Sequence, residues 1–191
     1  VADRAIFLHG HATGSEPQVL NRKSLGQSEA MTVAYRNALA GAGIEAAQIS
    51  AADLYSCFPI AVWVAMDALD MSLDDPRPFT LTGGLPFFGG PGNNYSTHGI
   101  AEMVHWLRAQ PEPAYGVVGA NGGYLSKHAV GVYANMPAEF PEAVPEFKAA
   151  EVVEVVSDPE PDGVIESYTF QPQKGAARAV IVGRQLSDGR R

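Results

Sequence analysis

The single thiol of the chain stands where it could do acid–base or nucleophilic chemistry. Cys57 is the only cysteine among the 191 residues and lies in the sequence LYSCF, at an expected strand end just before Pro59. Proline is favoured in the first turn of a helix, so we expect a helix to begin there. A helix N-terminus lowers the pKa of a nearby thiol, which makes Cys57 a candidate reactive residue. A buried and inert cysteine is the alternative.

A second candidate is the glycine-rich stretch GGLPFFGGPGNNYSTHG, residues 83–99, which precedes an expected helix. It lacks the Lys-Ser or Lys-Thr of a Walker loop, and Tyr95 stands where a dinucleotide fingerprint needs glycine. Unpaired amides and a backbone without side chains can still hold an anion or a polarised carbonyl. His98 falls in the first turn of the helix, where the dipole favours a neutral imidazole and hence a possible base. A glycine-rich turn and a capping histidine are the alternatives.

Two further patterns carry weaker functional signals. Asn121-Gly122-Gly123 is expected to form a tight turn with exposed amides between two strands. His9 and His11 in FLHGH would share one face of a strand and could bind a metal, but no nearby cysteine or carboxylate completes a ligand set. The same residues resemble the oxyanion loop of hydrolases, yet the required G-x-S-x-G pentapeptide is absent. An ordinary pair of strand-end histidines is the favoured interpretation.

Alternating strands and helices are expected to position these residues. Apolar spacing predicts helices over 28–42 and 96–109. A third helix from Pro59 is nearly all apolar and is therefore expected to be buried. Strands are predicted at 4–10, 51–57, 79–83 and on both sides of 121–124. This alternation predicts a layered α/β domain over residues 1–136.

The composition changes after this domain. Prolines and acidic residues at 137–147 predict a linker, and EVVEVVS, VIESYTF and ARAVIVGRQL predict successive strands without helices. Residues 148–191 are therefore expected to be β-rich. Asp188-Gly189 is typical of a hairpin turn, which a second strand should follow. The sequence contains no such strand, so this additional domain is expected to be incomplete.

Charge and composition exclude several classes of function. The formal net charge is −8 and no basic block occurs, which argues against nucleic acid or an anionic membrane as partner. No apolar run reaches the roughly 18 residues of a membrane span, and a signal peptide is not evident. We expect a cytoplasmic protein whose partner is a small molecule or another protein.

Three motifs in a fixed order indicate a family. DLYSCF, TGGLPFFGGPGNNYSTHGIAEMV and ANGGYLSKHAVGVYA together resemble the C-terminal half of thiolases, and most closely the sterol-carrier-protein thiolases and thiolase-like proteins of type 1. The resemblance covers about residues 2–134. It implies a thiolase-like α/β/α half-domain with a mixed sheet, followed by the start of the extra C-terminal domain of the type 1 proteins.

The resemblance also implies roles for individual residues. Cys57 matches the acid/base cysteine of the sterol-carrier type, and Tyr55 replaces the Asn or His of an oxyanion hole. Gly90 replaces the histidine of the Gly-His-Pro loop, while Asn121 to Gly123 match a loop whose backbone amide lines a second oxyanion hole. The set of expected catalytic positions is Cys57, Tyr55, Gly90 and His98, and that of expected positions for coenzyme A is Gly89, Gly92, Asn93, Asn121, Gly122 and Gly123.

Two functions follow from this resemblance. The first is the C-terminal portion of an acyl-CoA acyltransferase of the acetyl-CoA acetyltransferase class, with its nucleophilic cysteine absent from this chain. The second is an inactive module that binds acyl-CoA or a protein. Coenzyme A would be substrate or product and no group would be bound covalently; a missing N-terminal thiolase half and a second copy of the chain are the expected protein partners.

Overall fold

The computed structural model describes residues 4–173 and 175–191, which divide into two compact units. The first unit contains the residues up to Glu16 together with Ser28–Ala149. The second unit contains Pro17–Gln27 and Ala150–Arg191. The predicted domain limits (1–136, 137–147 and 148–191) place the second module in one segment, whereas the compact unit is assembled from two.

The first unit contains five strands and four α-helices among its described residues. The strands are β1 (Phe7–Ser15), β2 (Ile49–Asp53), β3 (Tyr115–Gly122), β4 (Lys127–Ala134) and β5 (Phe147–Lys148). The helices are α1 (Glu29–Ala42), α2 (Pro59–Ala68), α3 (Leu85–Phe88) and α4 (Tyr95–Arg108).

The five strands form one mixed sheet in the order β2-β3-β4-β1-β5. The outer pairs β2–β3 and β1–β5 are parallel, and the inner pairs β3–β4 and β4–β1 are antiparallel. Ala52 pairs with Val117 and Val117 with Val132, so one row of small and branched side chains crosses three strands. The prediction of a mixed sheet is confirmed.

Helices cover both faces of this sheet. Val117 belongs to a buried cluster with residues of α1 and α2, whereas its neighbour Val118 belongs to a second cluster with Met103 and Leu107 of α4. Successive strand residues point to opposite faces, so this split places α1 and α2 on one side and α4 on the other. The layered α/β/α architecture expected from the sequence is therefore present.

Close packing of α1 on β1 depends on glycine. A Cβ atom at Gly10 would lie 2.1 Å from the carbonyl oxygen of Ala38, and one at Gly14 would lie 2.5 Å from that of Ala30. Any larger residue would overlap helix backbone, which cannot move aside. These two glycines set the distance between helix and sheet.

Three expectations for the local structure are corrected. The strand predicted at 51–57 is β2, which starts earlier and ends at Asp53, because the chain then turns toward α2. Residues 79–83 form no ladder, although the carbonyls of Pro78 and Phe79 accept hydrogen bonds from Ala52 and Leu54. Helix α2 is not buried all round, since Ile60 is 41 % and Trp63 is 52 % exposed.

The second unit is built around a hairpin. Strands β6 (Gly163–Gln173) and β7 (Ala176–Gln185) pair in antiparallel fashion, with Tyr168 opposite Ile181. The expected turn at Asp188-Gly189 is present, with Gly189 at a φ of 73° and its N–H donating to the carbonyl of Gln185. Residues 151–157, predicted as a strand, are not part of a sheet.

Within the described residues, no helix is long and apolar enough to cross a membrane. The same residues contain no group of three or more His, Cys, Asp or Glu side chains arranged to hold a metal ion.

Candidate functional site

The carboxyl ends of the parallel strands β2 and β3 place two of the predicted motifs at one edge of the sheet. Asp53, the last residue of β2, pairs with Val118. The loop with Tyr55 and Cys57 follows Asp53, and the turn at Asn121 to Gly123 lies at the end of β3. Loops beyond the carboxyl ends of strands are common ligand sites in α/β sheets.

The thiol of Cys57 is partly buried directly before α2. Burial raises its pKa above the ordinary value of 9.0, and the N–H groups of Cys57 and Phe58 oppose this shift only in part. The expectation of a lowered pKa at the helix N-terminus is therefore wrong, because desolvation of the thiolate outweighs the amide donors. At neutral pH the group is a thiol, which suits a proton donor better than a nucleophile.

Tyr55 packs against an aromatic neighbour, and the pKa of its hydroxyl depends in part on the nearby Cys57. Its ring meets that of the buried Tyr95 edge-on, with centroids 5.2 Å apart. Burial raises the pKa of the Tyr55 hydroxyl, and the nearby Cys57 and Tyr95 add to the shift. The hydroxyl of Tyr55 therefore keeps its proton at neutral pH and can donate a hydrogen bond.

Aromatic contacts connect Tyr55 to the glycine-rich stretch and to His98. The ring of Phe88 lies 6.4 Å from that of Tyr95 and 5.0 Å from the imidazole of His98, in both cases edge-on. The side-chain amide nitrogen of Asn94 lies 3.2 Å from Nε2 of His98, which accepts its hydrogen bond. His98 and Tyr55 thus belong to one aromatic cluster, defined as Tyr55, Phe88, Tyr95 and His98.

A buried polar network supports this aromatic cluster, and the sequence analysis missed it. Oδ2 of Asp53 accepts hydrogen bonds from the backbone N–H of Thr82 at 2.8 Å and from its hydroxyl at 2.9 Å. The Thr82 oxygen in turn lies 2.7 Å from the hydroxyl of Tyr95 and accepts from the N–H of Gly84 at 3.2 Å. Burial raises the pKa of Asp53 despite these donors. A lone aspartate at a strand end was the available signal, and its burial could not be seen from sequence.

The start of the glycine-rich stretch is held against the Cys57 loop. The hydroxyl oxygen of Ser56 accepts a hydrogen bond from the N–H of Leu85 at 3.0 Å. A Cβ atom at Gly84 would lie only 2.9 Å from the same oxygen. The two motifs that the sequence analysis considered separately therefore meet at Ser56.

The loop Gly89–Gly92 presents bare backbone. Gly89, Gly90 and Gly92 have φ values of 66°, 61° and 60°, in the left-handed region that glycine tolerates best. A Cβ atom at any of the three would meet nothing within 4 Å. Tight packing does not explain these glycines. The backbone conformation requires them, and the space beside them is open to a ligand; Asn93, which follows, is exposed.

The turn at Asn121 to Gly123 is fixed by a second polar cluster. Oδ1 of Asn121 lies 3.0 Å from Nδ1 of the buried His128. The other ring nitrogen of His128, Nε2, lies 3.1 Å from the carbonyl oxygen of Leu125 and 3.2 Å from the hydroxyl of Ser28. Ser28 also caps α1 and donates a short hydrogen bond to Glu16. The side chain of Asn121 is thus used for positioning, which leaves the backbone of Gly122 and Gly123 as the ligand-facing candidates.

Comparison with known proteins identifies a structural class. No family profile and no curated protein sequence matches the chain. Among solved structures it is similar to a monomeric SCP2-thiolase-like protein type 1 from Mycobacterium smegmatis, with a TM-score of 0.87 and 41 % identity over 100 % of this chain and 43 % of that one.

Two thiolases share the fold at lower identity. The peroxisomal 3-ketoacyl-CoA thiolase of Saccharomyces cerevisiae, described as two core domains of identical topology, gives a TM-score of 0.50 at 16 % identity over 66 % of this chain and 33 % of that one. Human mitochondrial 3-ketoacyl-CoA thiolase gives 0.52 at 19 % identity over 69 % and 30 %. The chain thus spans less than half of the length of each protein. The predicted resemblance to thiolases and the thiolase-like fold are confirmed.

Proposed function

We propose that this thiolase-like chain is the portion of an acyltransferase, of the acetyl-CoA acetyltransferase class, that binds acyl-CoA thioesters and supplies a proton. The observation that carries the proposal is the junction at Ser56, where the neutral thiol of Cys57 and the hydroxyl of Tyr55 adjoin the glycine-rich stretch. Acyl transfer to or from a thioester needs a proton donor and hydrogen-bond donors for the carbonyl oxygen.

Each group at this edge has a role in the proposal. Cys57 gives a proton to the leaving group of the acyl transfer or takes one from the attacking group, which is a carbon atom of the substrate or the sulfur atom of coenzyme A. Tyr55 donates a hydrogen bond to the thioester oxygen, in the place of the Asn or His expected from the family. The bare backbone of Gly89–Gly92, with Asn93, lets the pantetheine arm of coenzyme A pass close to the main chain, and the amides of Gly122 and Gly123 offer a second oxyanion site.

A covalent mechanism requires a nucleophile beyond these residues. Cys57 is the only cysteine of the sequence, and its raised pKa disfavours the thiolate. The proposal therefore assigns the nucleophilic thiolate to a second core domain of like topology. The exposed apolar face of α2, formed by Ile60 and Trp63 with Phe58 before it, is the surface we assign to that domain.

A second candidate function is an acyl-CoA binder without catalysis. The specific observation in its favour is Gly90, which stands where the family's loop carries a histidine that activates the nucleophile. Gly90 has a φ of 61°, a conformation that a histidine adopts only with strain. His98 is the nearest imidazole along the chain, but it contacts Phe88 and Asn94.

Turnover separates the two functions. We expect the natural gene product to cleave acetoacetyl-CoA with coenzyme A, and Cys57→Ala to lower kcat by at least about 100-fold, as loss of a general acid does. Ser56→Ala, which keeps the thiol, is the control for loop damage. Binding of coenzyme A without turnover in the unsubstituted protein would favour the binder, and unchanged turnover in Cys57→Ala would remove Cys57 from the mechanism.

Binding tests the role of the glycine loop in either function. We expect Gly90→Val to raise the Kd for acetyl-CoA at least fivefold in calorimetry, because its side chain occupies the open space beside the backbone. Gly43→Val is the matched control, since Gly43 also has a positive φ of 68° and nothing within 4 Å of a Cβ atom, but caps the end of α1. Equal weakening in both variants would mean that backbone strain, and not loss of a binding surface, is measured.

Self-association tests the face on α2. We expect the isolated chain to associate at micromolar concentration and Trp63→Lys to make it monomeric in sedimentation velocity. Leu73→Lys alters a residue that is 71 % exposed and lies outside the helix, so it should change nothing. If both variants sediment as the unsubstituted chain does, the α2 face is not an interface.

A further inference from the structure

Thr82 is a buried residue at the head of the glycine-rich stretch, and the proposed function gives it no role. It is 6 % exposed and comes directly before Gly83. Its hydroxyl contacts both Tyr95, which packs on Tyr55, and Gly84 in the glycine-rich stretch. One side chain therefore touches two parts of the candidate site.

The three hydrogen bonds of the Thr82 hydroxyl have a fixed direction. A hydroxyl has one hydrogen to donate and two lone pairs that accept. The hydrogen goes to Oδ2 of Asp53 at 2.9 Å. The two lone pairs therefore accept, from the hydroxyl of Tyr95 at 2.7 Å and from the N–H of Gly84 at 3.2 Å. The hydroxyl of Thr82 is thus fully used, and Tyr95 is the donor in its contact with Thr82.

Asp53 holds Thr82 in this arrangement. Oδ2 of Asp53 accepts from the backbone N–H of Thr82 at 2.8 Å as well as from its hydroxyl. The carboxyl group also packs against α4, since a Cβ atom at Gly99 would lie 2.8 Å from Oδ1. Asp53 is buried, and burial raises its pKa. Buried ionisable groups with shifted pKa values are concentrated at functional sites.

The first partner of the Thr82 hydroxyl is the ring that supports Tyr55. Tyr95 is buried, and its ring meets that of Tyr55 edge-on with 5.2 Å between the centroids. The hydroxyl of Tyr95 donates to Thr82, which fixes the end of the ring that is farthest from the backbone. The position of the Tyr55 ring therefore depends on this hydrogen bond.

The second partner is a strained point of the backbone. Gly84 precedes α3 with a φ of 94° and a ψ of 170°, a conformation that is essentially restricted to glycine. Such a conformation persists only where surrounding contacts hold it, and the N–H of Gly84 is held by Thr82. A Cβ atom at Gly84 would lie 2.9 Å from Oγ of Ser56, so Gly84 also packs on the loop that carries Cys57.

We propose that Thr82 is a positioning residue of the acyl-CoA site. Held by Asp53, it orients Tyr55 through Tyr95, and it keeps the glycine-rich stretch against the Cys57 loop through Gly84. The role toward Tyr55 rests on the proposed function, in which the Tyr55 hydroxyl donates to the thioester oxygen. The role toward the Cys57 loop can be measured without substrate.

Two substitutions of Thr82 test the proposal in the natural gene product. Valine has the shape of threonine without the hydroxyl, whereas serine keeps the hydroxyl. We expect Thr82→Val to lower kcat for cleavage of acetoacetyl-CoA by coenzyme A at least about tenfold and to change KM less than about threefold, because a misplaced donor fails mainly in the transition state. Thr82→Ser should keep kcat within about threefold of the unsubstituted value. Thr80→Val makes the same change two residues earlier, outside this network, and should alter neither constant.

A double-substitution cycle separates positioning from a general loss of stability. Tyr95→Phe removes the donor to Thr82 and keeps the ring. We expect it to lower kcat at least about fivefold in the protein that retains Tyr55, and less than about twofold in Tyr55→Phe, where the hydroxyl to be positioned is already absent.

Alkylation of Cys57 tests the role toward the loop without substrate. Cys57 is partly buried, and mass spectrometry of its peptide follows its reaction with iodoacetamide. We expect this reaction to be at least about threefold faster in Thr82→Val, because Gly84 is released and the loop opens locally. Thr82→Ser and Thr80→Val should react at the unsubstituted rate.

The results distinguish this proposal from the proposed function. If the unsubstituted protein does not cleave acetoacetyl-CoA, the acyltransferase is excluded and the alkylation rates alone decide the role of Thr82. The positioning role is overturned if Thr82→Ser is impaired as much as Thr82→Val or if Cys57 reacts no faster in Thr82→Val than in the unsubstituted protein. It is also overturned if Tyr95→Phe lowers kcat equally with and without the Tyr55 hydroxyl.

Discussion

In the first unit the side chains removed from water are mainly apolar, whereas in the second unit they are Arg22, Gln185 and Arg191. Every buried apolar residue in the described part of the chain belongs to the first unit. The large apolar side chains of the hairpin are exposed instead, with Tyr168 at 66 % and Phe170 at 64 %. The first unit is thus stabilised by close packing of apolar surface, and the second by hydrogen bonds and ion pairs around Glu166.

This difference predicts different sensitivities. A core of close-packed side chains responds to changes in volume, while a small ionic network responds to changes in charge and pH. Three experiments test this difference between the two units.

The largest effect is expected where α1 packs on β1. Gly10→Ala would place a Cβ atom 2.1 Å from the carbonyl oxygen of Ala38 and should lower the free energy of unfolding by about 3 kcal/mol or more. Gly41→Ala, on α1 and facing Gly10, finds its nearest atom at 3.7 Å and should be neutral or stabilising by up to about 1 kcal/mol. Urea unfolding followed by the fluorescence of Trp63 and Trp106 measures both. Equal effects would mean that helix and sheet do not approach as closely as described.

A smaller and local effect is expected in the second unit. Glu166→Gln should destabilise the hairpin by about 1–3 kcal/mol, because Arg191 loses its ionised partner while it stays buried. Hydrogen exchange of peptides from β6 and β7 should accelerate, and exchange in β3 and β4 should not. Acceleration in all four strands would show that the two units unfold together.

The smallest effect concerns two carboxylates that respond to pH with opposite sign. Burial raises the pKa of Asp53 in the folded state above 3.8. The protonated carboxyl group therefore adds fully to the free energy of unfolding below pH 3.8, and this contribution is lost as the pH rises through the folded-state pKa. Arg191 and Arg184 lower the pKa of Glu166 in the folded state below 4.5. The ionised carboxylate therefore adds to the free energy of unfolding above pH 4.5, and this contribution is lost as the pH falls through the folded-state pKa.

Substitutions at these two positions check the signs. Asp53→Asn should gain stability relative to the unsubstituted chain between pH 4 and pH 7, seen in the urea midpoint of the first unit. Glu166→Gln should differ most from the unsubstituted chain near neutral pH and least in acid, seen in hydrogen exchange of β6. A parallel pH dependence for both variants would contradict the assignment of opposite shifts.

The sequence carried enough information to predict much of the first unit. Apolar spacing located α1 and α4 to within one residue at each end, and Pro59 marked the start of α2. Amphipathic helices and strands between turn residues leave such patterns because one face of each is buried. The motif order placed Cys57, Tyr55 and the Gly89–Gly92 loop in one family context, and the structure brings the loops of the first two against the glycine-rich stretch at Ser56.

Long-range contacts explain what the sequence could not provide. The raised pKa of Cys57 depends on burial by segments distant in sequence, and the link from Asp53 through Thr82 to Tyr95 joins residues up to 42 positions apart. Helix α2 was expected to be buried because its composition is apolar. Composition does not show whether the surface that covers an apolar helix belongs to the hydrophobic core of its own unit. Residues 17–27 gave no sign that they belong to the second unit, since their partners lie more than 120 residues later.

The split composition of the second unit also sets an order of events during synthesis. Its first segment, Pro17–Gln27, leaves the ribosome before the 122 residues of 28–149, and only then can Ala150–Arg191 appear. At about 5–20 residues per second this interval lasts roughly 6–24 s, far longer than a small domain needs to fold. The first unit can therefore fold around its mixed sheet before the partners of residues 17–27 in Ala150–Arg191 have been synthesised. The hydrogen bonds from Arg191 to the carbonyl oxygens of Leu20 and Arg22 form only after that.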